Sequence, residues 1–501
     1  MEILILLNSF RRTIYLKILF AASEMTPFCK TGGLADVIGS LPVVLAQMGN
    51  EVHVMLPEYS RIDRQKYSFM DNHSHFQVTV GPVTKPATVS SASWKGVTVH
   101  LIENEEYFDR SGLYGEAQGD YYDNGPRFVF FCRGALEAVK LLGIKPDIIH
   151  AHDWQTGLIL PYLRTLYAQE PLFHNASTLF TIHNLGYQGN FPPWVFSLTG
   201  IPDEEFRWTK MEFYGNVSFL KSGIVYADAV STVSETYARE ITTEQLGFGM
   251  QDVFAERKNV LFGILNGIDQ NEWNPATDQS LPAKYSSDDL SGKKACRIAL
   301  LKEFGITKGG KIPVFGMVSR LDSQKGFDIL EEGMEKIVNM VVCIVILGTG
   351  TSEHKETMGK LATRYPERIR IMVKFDPRVA MLIYAGSDAF LMPSRYEPCG
   401  LGQIIALRYG TLPVVHATGG LVDTVKDLDF DPENGNGFSF EEYTSEALLE
   451  AMERAVRAFS EQGSARWHSA VQRAMTKDYS WKQSAEKYVK LYQQIRNRKG
   501  S

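Results

Sequence analysis

The chain has 501 residues, a formal net charge of −6 and a hydrophobic content of 44%. This length exceeds what one hydrophobic core usually holds, so two or more domains are expected. The acidic balance argues against a protein that binds nucleic acid through a broad basic surface. The five cysteines are far apart and form no CxxC pair, which disfavours a disulfide framework or a structural zinc site and favours a reducing, cytoplasmic compartment.

The N-terminal stretch lacks the order of a secretory signal. Residues 1–7 are apolar except for Glu2, but Arg11 and Arg12 follow them instead of preceding them. We expect residues 1–16 to be an extension, or the product of a misplaced start, ahead of a first strand near Lys17. No run approaches the ~18 apolar residues that a membrane helix needs, so no membrane span is expected.

The first half of the chain alternates predicted strands with predicted helices. The strands are expected at residues 18–22, 51–56, 78–80, 97–102, 147–150, 177–182 and 229–233. The helices are expected at residues 37–48, 128–142 and 156–167, and a loop at residues 109–127. Ser234 is the expected N-cap of a further helix. This alternation is typical of a doubly wound α/β domain, whose ligands bind outside the carboxyl ends of the strands.

A second alternating set follows a stretch rich in Pro, Asp and Ser at residues 274–292. Its strands are predicted at residues 313–318, 341–347, 369–373, 389–392 and 412–415, and its helices at 326–338, 379–386 and 402–409. We therefore divide the chain into an extension (1–16), a first α/β domain (17–262), a second α/β domain (263–480) and a C-terminal helix (481–501).

A predicted strand, a tight glycine turn and a helix start coincide at Lys30, Gly32 and Gly33. Unsatisfied N–H groups and the dipole at a helix start favour an anion, and Lys30 adds a positive charge. The stretch is therefore either a phosphate site or an ordinary strand–helix turn with an exposed lysine.

The second predicted domain carries the densest set of charged residues at strand ends. Arg320 and Lys325 follow a strand and precede a helix, a placement that suits a diphosphate; the alternative is a solvated basic loop. Glu397 precedes Gly400 at another helix start, where backbone N–H groups suit a phosphate or sugar hydroxyls. Glu397 is alternatively a surface carboxylate paired with an arginine. Cys399 has no histidine near it in sequence, so we interpret it as a buried small residue and not as a nucleophile.

Three polar residues end strands of the first predicted domain: His152, Asp153 and His183. Such residues can bind a metal, but no supporting spacing such as HExxH accompanies them. We therefore expect no metal site and a hydrogen-bonding or positioning role. A core histidine is the alternative for His152.

Taken together, these motifs resemble those of the bacterial and plant glycogen/starch synthase family, retaining glucosyltransferases of the GT-B fold. The matching stretches follow the family's order between residues 17 and 494, and they are residues 30–36, 109–115, 120–124, 152–154, 183–189, 265–269, 320–326, 395–403 and 418–424. Each stretch alone is a weak signal, but the ordered set is specific. The resemblance implies two Rossmann-like, doubly wound α/β domains that face a central cleft.

The resemblance also implies the reaction. A glucosyl unit passes from ADP-glucose to the non-reducing 4-hydroxyl of an α-1,4-glucan such as glycogen, with retained configuration and without a cofactor. The expected partners are therefore this donor and this acceptor, with no nucleic acid and no membrane. The residues alone leave open the choice between ADP-glucose and UDP-glucose and the oligomeric state.

The family's functional residues fall on matching positions of this chain. By resemblance, Arg320 and Lys325 bind the donor diphosphate, Glu397 contacts the donor glucose, and His183 and Asp153 lie beside the reacting sugar. The further donor-binding residues implied by the resemblance are Lys30, Gly32, Gly33, Asp36, Asn266, Gly400 and Leu401, and the implied sugar-binding residues are Tyr114, Asn124 and His152.

The residue types agree with this chemistry. Cations and helix N-termini can neutralise a departing nucleotide diphosphate by fixed electrostatics, whereas the carboxylate pair of a glycosidase is not evident. Because Lys30 belongs to one predicted domain and Glu397 to the other, closure of the cleft is expected to complete the site and exclude water. The last helix is expected to return to the first domain, anchored by Trp481, Tyr488 and Tyr492; the alternative is an amphipathic helix packed on the second domain.

Three other functions fit these residues less well. An α-glucan phosphorylase needs a lysine for pyridoxal phosphate in its own context, and no such context is found. A dinucleotide-dependent oxidoreductase expects GxGxxG at the first strand–helix turn, which residues 30–36 do not supply. An inactive glucan-binding protein is disfavoured because the charged residues for donor binding are all present.

Overall fold

A computed structural model describes residues 15–116, 119–307, 312–350, 352–460 and 465–500. The predicted extension, residues 1–16, therefore lies outside the described residues except at Tyr15 and Leu16. The chain forms two compact units. Unit 1 contains the described chain up to Ser231, Gly247–Phe262 and the residues from Ala485 onward, and unit 2 contains Thr232–Leu246 and Gly263–Ser484.

Among the described residues, the strands up to Gly263 build one nine-stranded sheet, one three-stranded sheet and one two-stranded sheet. In chain order they are β1 (Lys17–Ala21), β2 (Glu51–Pro57), β3 (Met70–Val80), β4 (Val83–Trp94), β5 (Val97–Glu103), β6 (Gly115–Glu116), β7 (Gly119–Asp120), β8 (Ile148–His152), β9 (Ser177–Ile182), β10 (Asn190–Phe191), β11 (Glu212–Phe213), β12 (Asn216–Ser218), β13 (Ala229–Thr232) and β14 (Leu261–Gly263). The nine-stranded sheet has the order β14-β13-β9-β8-β1-β2-β5-β4-β3, the three-stranded sheet β10-β12-β11 and the two-stranded sheet β6-β7. Strands β9, β8, β1, β2 and β5 are parallel, and β4 pairs antiparallel with β5 and β3.

Unit 2 is built on a second parallel sheet. Its strands are β15 (Val314–Leu321), β16 (Cys343–Gly350), β17 (Ile369–Val373), β18 (Ala389–Met392), β19 (Leu412–His416) and β20 (Phe438–Phe440). Their order is β17-β16-β15-β18-β19-β20, and all the neighbouring pairs are parallel. Strands β18 and β19 are buried almost throughout, as strands covered by helices on both faces of a parallel sheet require, whereas the edge strand β17 is mostly part-buried.

Helices follow most of the parallel strands. They are α1 (Gly33–Gln47), α2 (Glu105–Phe108), α3 (Asn124–Leu141), α4 (Ile159–Arg164), α5 (Pro193–Thr199), α6 (Phe219–Tyr226), α7 (Glu235–Glu240), α8 (Gln251–Arg257), α9 (Ser291–Glu303), α10 (Phe327–Asn339), α11 (Ser352–Arg364), α12 (Pro377–Gly386), α13 (Gly402–Arg408), α14 (Gly419–Thr424), α15 (Ser445–Ser460), α16 (Ala465–Thr476) and α17 (Trp481–Gly500). Helix α10 shows why they form, since it buries Phe327, Leu330, Met334 and Ile337 at helical spacing. Two α/β units with parallel sheets confirm the predicted doubly wound fold class.

Several predicted elements differ from the observed ones. The sequence indicated a short strand at residues 78–80, but β3 and β4 form a long antiparallel hairpin. We missed β4 because its Ser, Thr, Lys and Pro residues look like a loop, whereas pairing on both sides keeps it extended. The predicted loop at 109–127 ends earlier, because α3 already begins at Asn124. The helix predicted at 156–167 shortens to α4 after a 3-10 turn, Trp154–Thr156.

The segment Thr232–Leu246 packs in unit 2, although the first predicted domain, residues 17–262, includes it. Hydrogen bonds explain the difference. The carboxylate of Asp423 accepts the N–H and the hydroxyl of Thr236 at 3.0 and 2.6 Å. Glu240 accepts the N–H of Gly419 at 2.9 Å. Ser234 caps α7, as the sequence predicted, by accepting the N–H of Tyr237 at 3.0 Å.

Helix α17 belongs to unit 1 from Ala485 onward. Tyr488 and Tyr492 are fully buried there, and the hydroxyl of Tyr492 lies 2.8 Å from Nδ1 of His150. Trp481, a third expected anchor, is buried in unit 2 instead. No helix in the described ranges has the length and apolar character that crossing a bilayer requires.

Candidate active site

An ion pair joins the buried Glu397 to the part-buried Lys325 in unit 2. The Nζ of Lys325 lies 2.6 Å from Oε2 of Glu397, whose side chain is 8% exposed. The hydroxyl of Ser394 donates to the same oxygen at 3.0 Å. Lys325 follows β15 and Glu397 follows β18, so the carboxyl ends of two adjacent parallel strands bring the pair together. The alternative of a surface glutamate paired with an arginine is therefore wrong.

Arg320 lies at the carboxyl edge of the same sheet. The sequence predicted that Arg320 follows the strand. Strand β15 instead extends to Leu321, so Arg320 is a strand residue. Its side chain is 52% exposed, and its Nη2 lies 3.3 Å from Oδ2 of Asp322. A guanidinium here offers a planar set of donors that suits a diphosphate.

Adjacent glycines allow the backbone to approach the Glu397 loop closely. A Cβ built at Gly419 would lie 2.0 Å from the carbonyl oxygen of Glu397, and one at Gly420 would lie 2.1 Å from that of Cys399. Gly419 also has a positive φ of 47°, and the N–H of Gly420 donates to Glu397 at 3.1 Å. A side chain at either glycine would displace the loop that carries Glu397.

His416, at the end of β19, holds this loop from the other side. Its Nδ1 lies 2.8 Å from the carbonyl oxygen of Ser394, and its Nε2 lies 3.1 Å from that of Glu441. Burial lowers the pKa of His416, while the two carbonyl acceptors oppose this shift. Because Ser394 also donates to Glu397, His416 acts on the ion pair through Ser394 and is a positioning residue.

The remaining donor residues predicted in unit 2 surround Cys399. Asn266 is buried, and its Oδ1 has no hydrogen-bond partner among the described residues. Such an oxygen needs a donor, for example a sugar hydroxyl. Gly400 has a φ of 70° and leads through Leu401 into α13. Burial raises the pKa of the Cys399 thiol to about 12, which agrees with a packed residue and not a nucleophile.

Asp153 occupies a strained backbone position in unit 1, directly after β8. Its φ and ψ are 56° and −179°, a combination that residues other than glycine rarely adopt. Its N–H donates to Thr181 at 3.0 Å, and its carboxylate accepts the N–H of His183 at 2.7 Å. Burial raises the pKa of Asp153 to about 7, nearby Glu24 adds to this, and the N–H of His183 opposes it. Strain that persists at a strand end points to function.

His183 and His152 form a neutral pair at the ends of β9 and β8. Nε2 of His183 lies 3.0 Å from Nδ1 of His152. Burial lowers the pKa of His183 to about 3 and that of His152 well below its usual range. His152 is fully buried and packs 4.0 Å from the ring of His150, whereas His183 is half-buried. His152 is fully buried and hydrogen-bonds His183, which fits the expected positioning role, whereas its sugar contact stays a prediction.

The two histidines do not belong to an evident metal centre. In the part of the chain that the structure describes, no group of three or more His, Cys, Asp or Glu side chains is placed to hold a metal ion. The pair His152–His183 is instead joined by its own hydrogen bond, with Asp153 bound to the backbone of His183.

The glycine turn after Lys30 is filled by a carboxylate of the chain itself. Glu24 is buried, and its Oε2 accepts the N–H groups of Thr31 and Gly32. Its Oε1 accepts the hydroxyl of Thr31 at 2.6 Å. These N–H groups would have cradled a phosphate, but Glu24 already satisfies them. The phosphate-site interpretation of this turn is therefore not supported at Thr31 and Gly32.

Lys30 itself remains half exposed. Its Nζ lies 2.6 and 2.8 Å from the two carboxylate oxygens of Asp36, in the first turn of α1. A Cβ at Gly32 or Gly33 would meet no atom within 4 Å. The space beside these glycines admits a ligand, with the charge of Lys30 held next to it by Asp36.

Tyr114 and Asn124 belong to the network around Glu24. The hydroxyl of Tyr114 donates to Oε1 of Glu24 at 2.7 Å. The side-chain amide of Asn124 donates to the carbonyl of Tyr114 at 2.8 Å, and its oxygen accepts from Arg127 at 2.6 Å. Asn124 is buried and contacts Tyr114 through this hydrogen bond, so its sugar contact stays a prediction.

Two family models match most of the chain. Residues 17–256 match the family model of the starch synthase catalytic domain, and residues 302–463 match that of glycosyl transferases group 1. A glycogen synthase of Geotalea daltonii is 46% identical over 485 residues, which cover 97% of this chain and 100% of the relative. One of Syntrophotalea carbinolica is 46% identical over 95% of this chain and 98% of the relative.

The chain belongs to the glycogen and starch synthase family. The fold is similar to that of the catalytic domain of starch synthase IV from Arabidopsis thaliana bound to ADP and acarbose. The two chains superpose with a TM-score of 0.89 at 32% sequence identity, over 97% of this chain and 100% of that one. The sucrose-phosphate synthase of Thermosynechococcus elongatus, at 17% identity and a TM-score of 0.59 over 96% of this chain and 99% of that one, shows the fold alone.

Within this glycogen and starch synthase scaffold, sequence reasoning missed three supporting residues: Glu24, Ser394 and His416. His416 ends a strand, as His152 and His183 do, so the same signal would have found it. Ser394 stands beside the recognised stretch 395–403. Glu24 had no signal of its own, because its role depends on a turn that folds back onto it.

Proposed function

We propose that the protein is a glycogen synthase that transfers glucose from ADP-glucose to the non-reducing 4-hydroxyl of an α-1,4-glucan with retention, releasing ADP. The observation that carries this proposal is the ion pair of Lys325 with the buried Glu397 at a sheet edge that also presents Arg320, in a chain of this family. A family relative bound to ADP and acarbose supports a nucleotide donor and a glucan acceptor.

The donor half of the reaction falls to unit 2. Arg320 and Lys325 bind the diphosphate and neutralise the charge that develops when the bond between glucose C1 and the phosphate oxygen breaks. Glu397 and the backbone of Gly400 and Leu401 bind the glucose hydroxyls. The unpartnered Oδ1 of Asn266 accepts a further hydroxyl. Because nucleotide diphosphate is a good leaving group once neutralised, no carboxylic acid is needed to protonate it.

The sugar-facing groups of unit 1 are His183 and Asp153, with Tyr114 as a weaker candidate. Lys30 supplies a cation for the sugar nucleotide, and Gly32 and Gly33 leave space beside it. The acceptor 4-hydroxyl attacks C1 on the face from which ADP leaves, and its proton passes to the departing phosphate oxygen. The configuration at C1 is thereby retained, and the atoms balance as ADP plus an elongated glucan.

The proposal places this reaction in a bacterial cytoplasm. ADP-glucose and glycogen are the partners, and neither nucleic acid, membrane nor cofactor takes part. The five cysteines are all free and buried, which suits a reducing compartment.

Glucose incorporation into glycogen tests the proposal. The full chain is incubated with glycogen and ADP-[14C]glucose in EDTA, with UDP-[14C]glucose as the competing donor. We expect label in glycogen, one ADP released per glucose and removal of the label by β-amylase, which attacks α-1,4 chains from non-reducing ends. Phosphate release from glucose 1-phosphate and glycogen would instead indicate a phosphorylase, and strict dependence on a divalent metal would contradict the site assigned here.

A further inference from the structure

Two tight turns of unit 1 each hold a bulky aromatic residue in the left-handed backbone region. Tyr214 and Phe248 both have a φ of 49°, and the glycines that follow them, Gly215 and Gly249, have φ values of 80° and 82°. Positive φ at both central positions is the pattern of a type I′ turn, in which Asn, Asp or Gly is preferred. Aromatic residues at these positions are strained outliers.

Both turns are fixed by their surroundings. The first connects β11 and β12, and the carboxylate of Glu212 accepts the N–H of Gly215 at 2.6 Å. The second is closed by a hydrogen bond from the N–H of Met250 to the carbonyl of Gly247 at 2.7 Å. The strain is therefore maintained by hydrogen bonds around the aromatic residues, and it does not arise from burying their rings.

The two turns lie against each other. A Cβ built at Gly249 would lie 3.3 Å from Cε2 of Tyr214 and 3.3 Å from Cζ of Phe213. The ring of Tyr214 thus covers the backbone of the second turn. Tyr214 is 79% exposed and Phe248 is 39% exposed. We call Tyr214 and Phe248 the aromatic turn pair.

Gln188 connects the aromatic turn pair to the loop that begins with His183. This loop runs from the end of β9 to the start of β10. The side-chain amide of Gln188 donates to the carbonyl of Phe248 at 3.0 Å. Its backbone carbonyl accepts the hydroxyl of Ser218, at the end of β12, at 3.3 Å. One residue of the His183 loop therefore contacts the segments of both turns.

We propose that the aromatic turn pair binds the acceptor glucan by stacking on its glucose rings. This inference rests on the proposed function, because the expected occupant is the acceptor of that reaction. Pyranose rings present apolar C–H faces between their hydroxyls, and exposed aromatic rings cover such faces at low entropic cost. Rings fixed by strained turns are already ordered before the glucan arrives, and strain at an exposed position points to function.

The variants Tyr214→Asn and Phe248→Asn separate this role from a structural one. Asparagine tolerates positive φ, so we expect each variant to unfold at a temperature higher by about 2–4 °C. At the same time the KM for glycogen should rise by about tenfold, while the KM for ADP-glucose stays unchanged. Tyr214→Phe should retain the wild-type KM for glycogen. Phe430→Asn, which removes an 83% exposed ring from unit 2, serves as the matched control and should change neither KM.

Glycogen affinity is also measured without catalysis, by mobility of the full chain in gels that contain glycogen. Retardation of the wild type that is lost in both Asn variants supports the inference. Loss of retardation supports glucan binding at the aromatic turn pair even if the protein transfers no glucose from ADP-glucose. Absence of that transfer would overturn only the proposed reaction. Unchanged retardation in both variants, or an equal rise of the two KM values, overturns the inference. Should Tyr214→Asn not fold, Phe248→Asn and its control decide the outcome.

Discussion

Removal of Lys325 leaves the buried Glu397 carboxylate with one side-chain donor among the described residues, the Ser394 hydroxyl. Glu397 is 8% exposed, and without the ammonium at 2.6 Å it retains the Ser394 hydroxyl at 3.0 Å. Breaking a buried ion pair from one side costs about 3–5 kcal/mol, because the other charge stays desolvated. We therefore expect Lys325→Ala to lower the free energy of unfolding of the full chain by about this amount.

A second substitution tests the reason for this loss. Glu397→Gln removes the buried charge and keeps an oxygen for the Ser394 hydroxyl. The double variant Lys325→Ala/Glu397→Gln should therefore regain most of the stability that Lys325→Ala loses, since both charges are gone. Turnover should not recover, because the donor diphosphate and the donor glucose both lose their partners. We expect each of the three variants to be slower than the wild type by at least about 100-fold.

Urea unfolding and glucose incorporation from ADP-[14C]glucose measure the two effects on the same preparations. Lys336→Ala is the matched control, because the Lys336–Glu446 pair at 3.4 Å has side chains 67% and 69% exposed, and such pairs contribute little. The reasoning is refuted if Lys325→Ala unfolds like the wild type, or if the double variant is no more stable than Lys325→Ala. Near-normal turnover of Lys325→Ala would refute its assignment to the donor site.

Three further predictions concern other parts of the site. The pKa of Asp153 is raised from 3.8 to about 7 in the folded chain, so the folded state holds a proton that the unfolded state releases. The free energy of unfolding should therefore fall as the pH rises from about 4 to 7. Asp153→Asn should remove this dependence, which urea midpoints at pH 5 and 8 measure. Lys30→Ala should raise the KM for ADP-glucose and leave glycogen retardation in gels unchanged. Loss of both donor use and glycogen retardation would indicate misfolding. Gly420→Ala should lower turnover by at least about tenfold, because the added methyl group displaces the Glu397 loop. The circular dichroism spectrum should stay like that of the wild type, since the change is local. Wild-type turnover would contradict the close approach of Gly420 to this loop.

The sequence predicted the elements that repeat with a clear period. Buried apolar runs located most of the parallel strands, and strands β9, β17 and β18 have the predicted bounds. The elements that it missed lack this signal. Strand β4 is polar on one face and contains Pro86, and only pairing with β3 and β5 shows it to be a strand. The helix predicted at residues 156–167 was too long, because α4 spans only Ile159–Arg164 and the chain before it forms a 3-10 turn, Trp154–Thr156.

The sequence by itself predicted which residues carry the chemistry, because candidate residues stand at strand ends and beside glycine turns, in an order typical of the family. It indicated the family and the fold class, which the comparisons confirm, and it predicted the roles of Arg320, Lys325, Glu397 and His183. The tertiary structure alone decided which of these residues are paired and which support them. Glu397 meets Lys325, Glu24 fills the turn after Lys30, and His152 and Asn124 are buried. These outcomes depend on contacts between segments far apart in the chain, and local patterns in the sequence do not encode such distances.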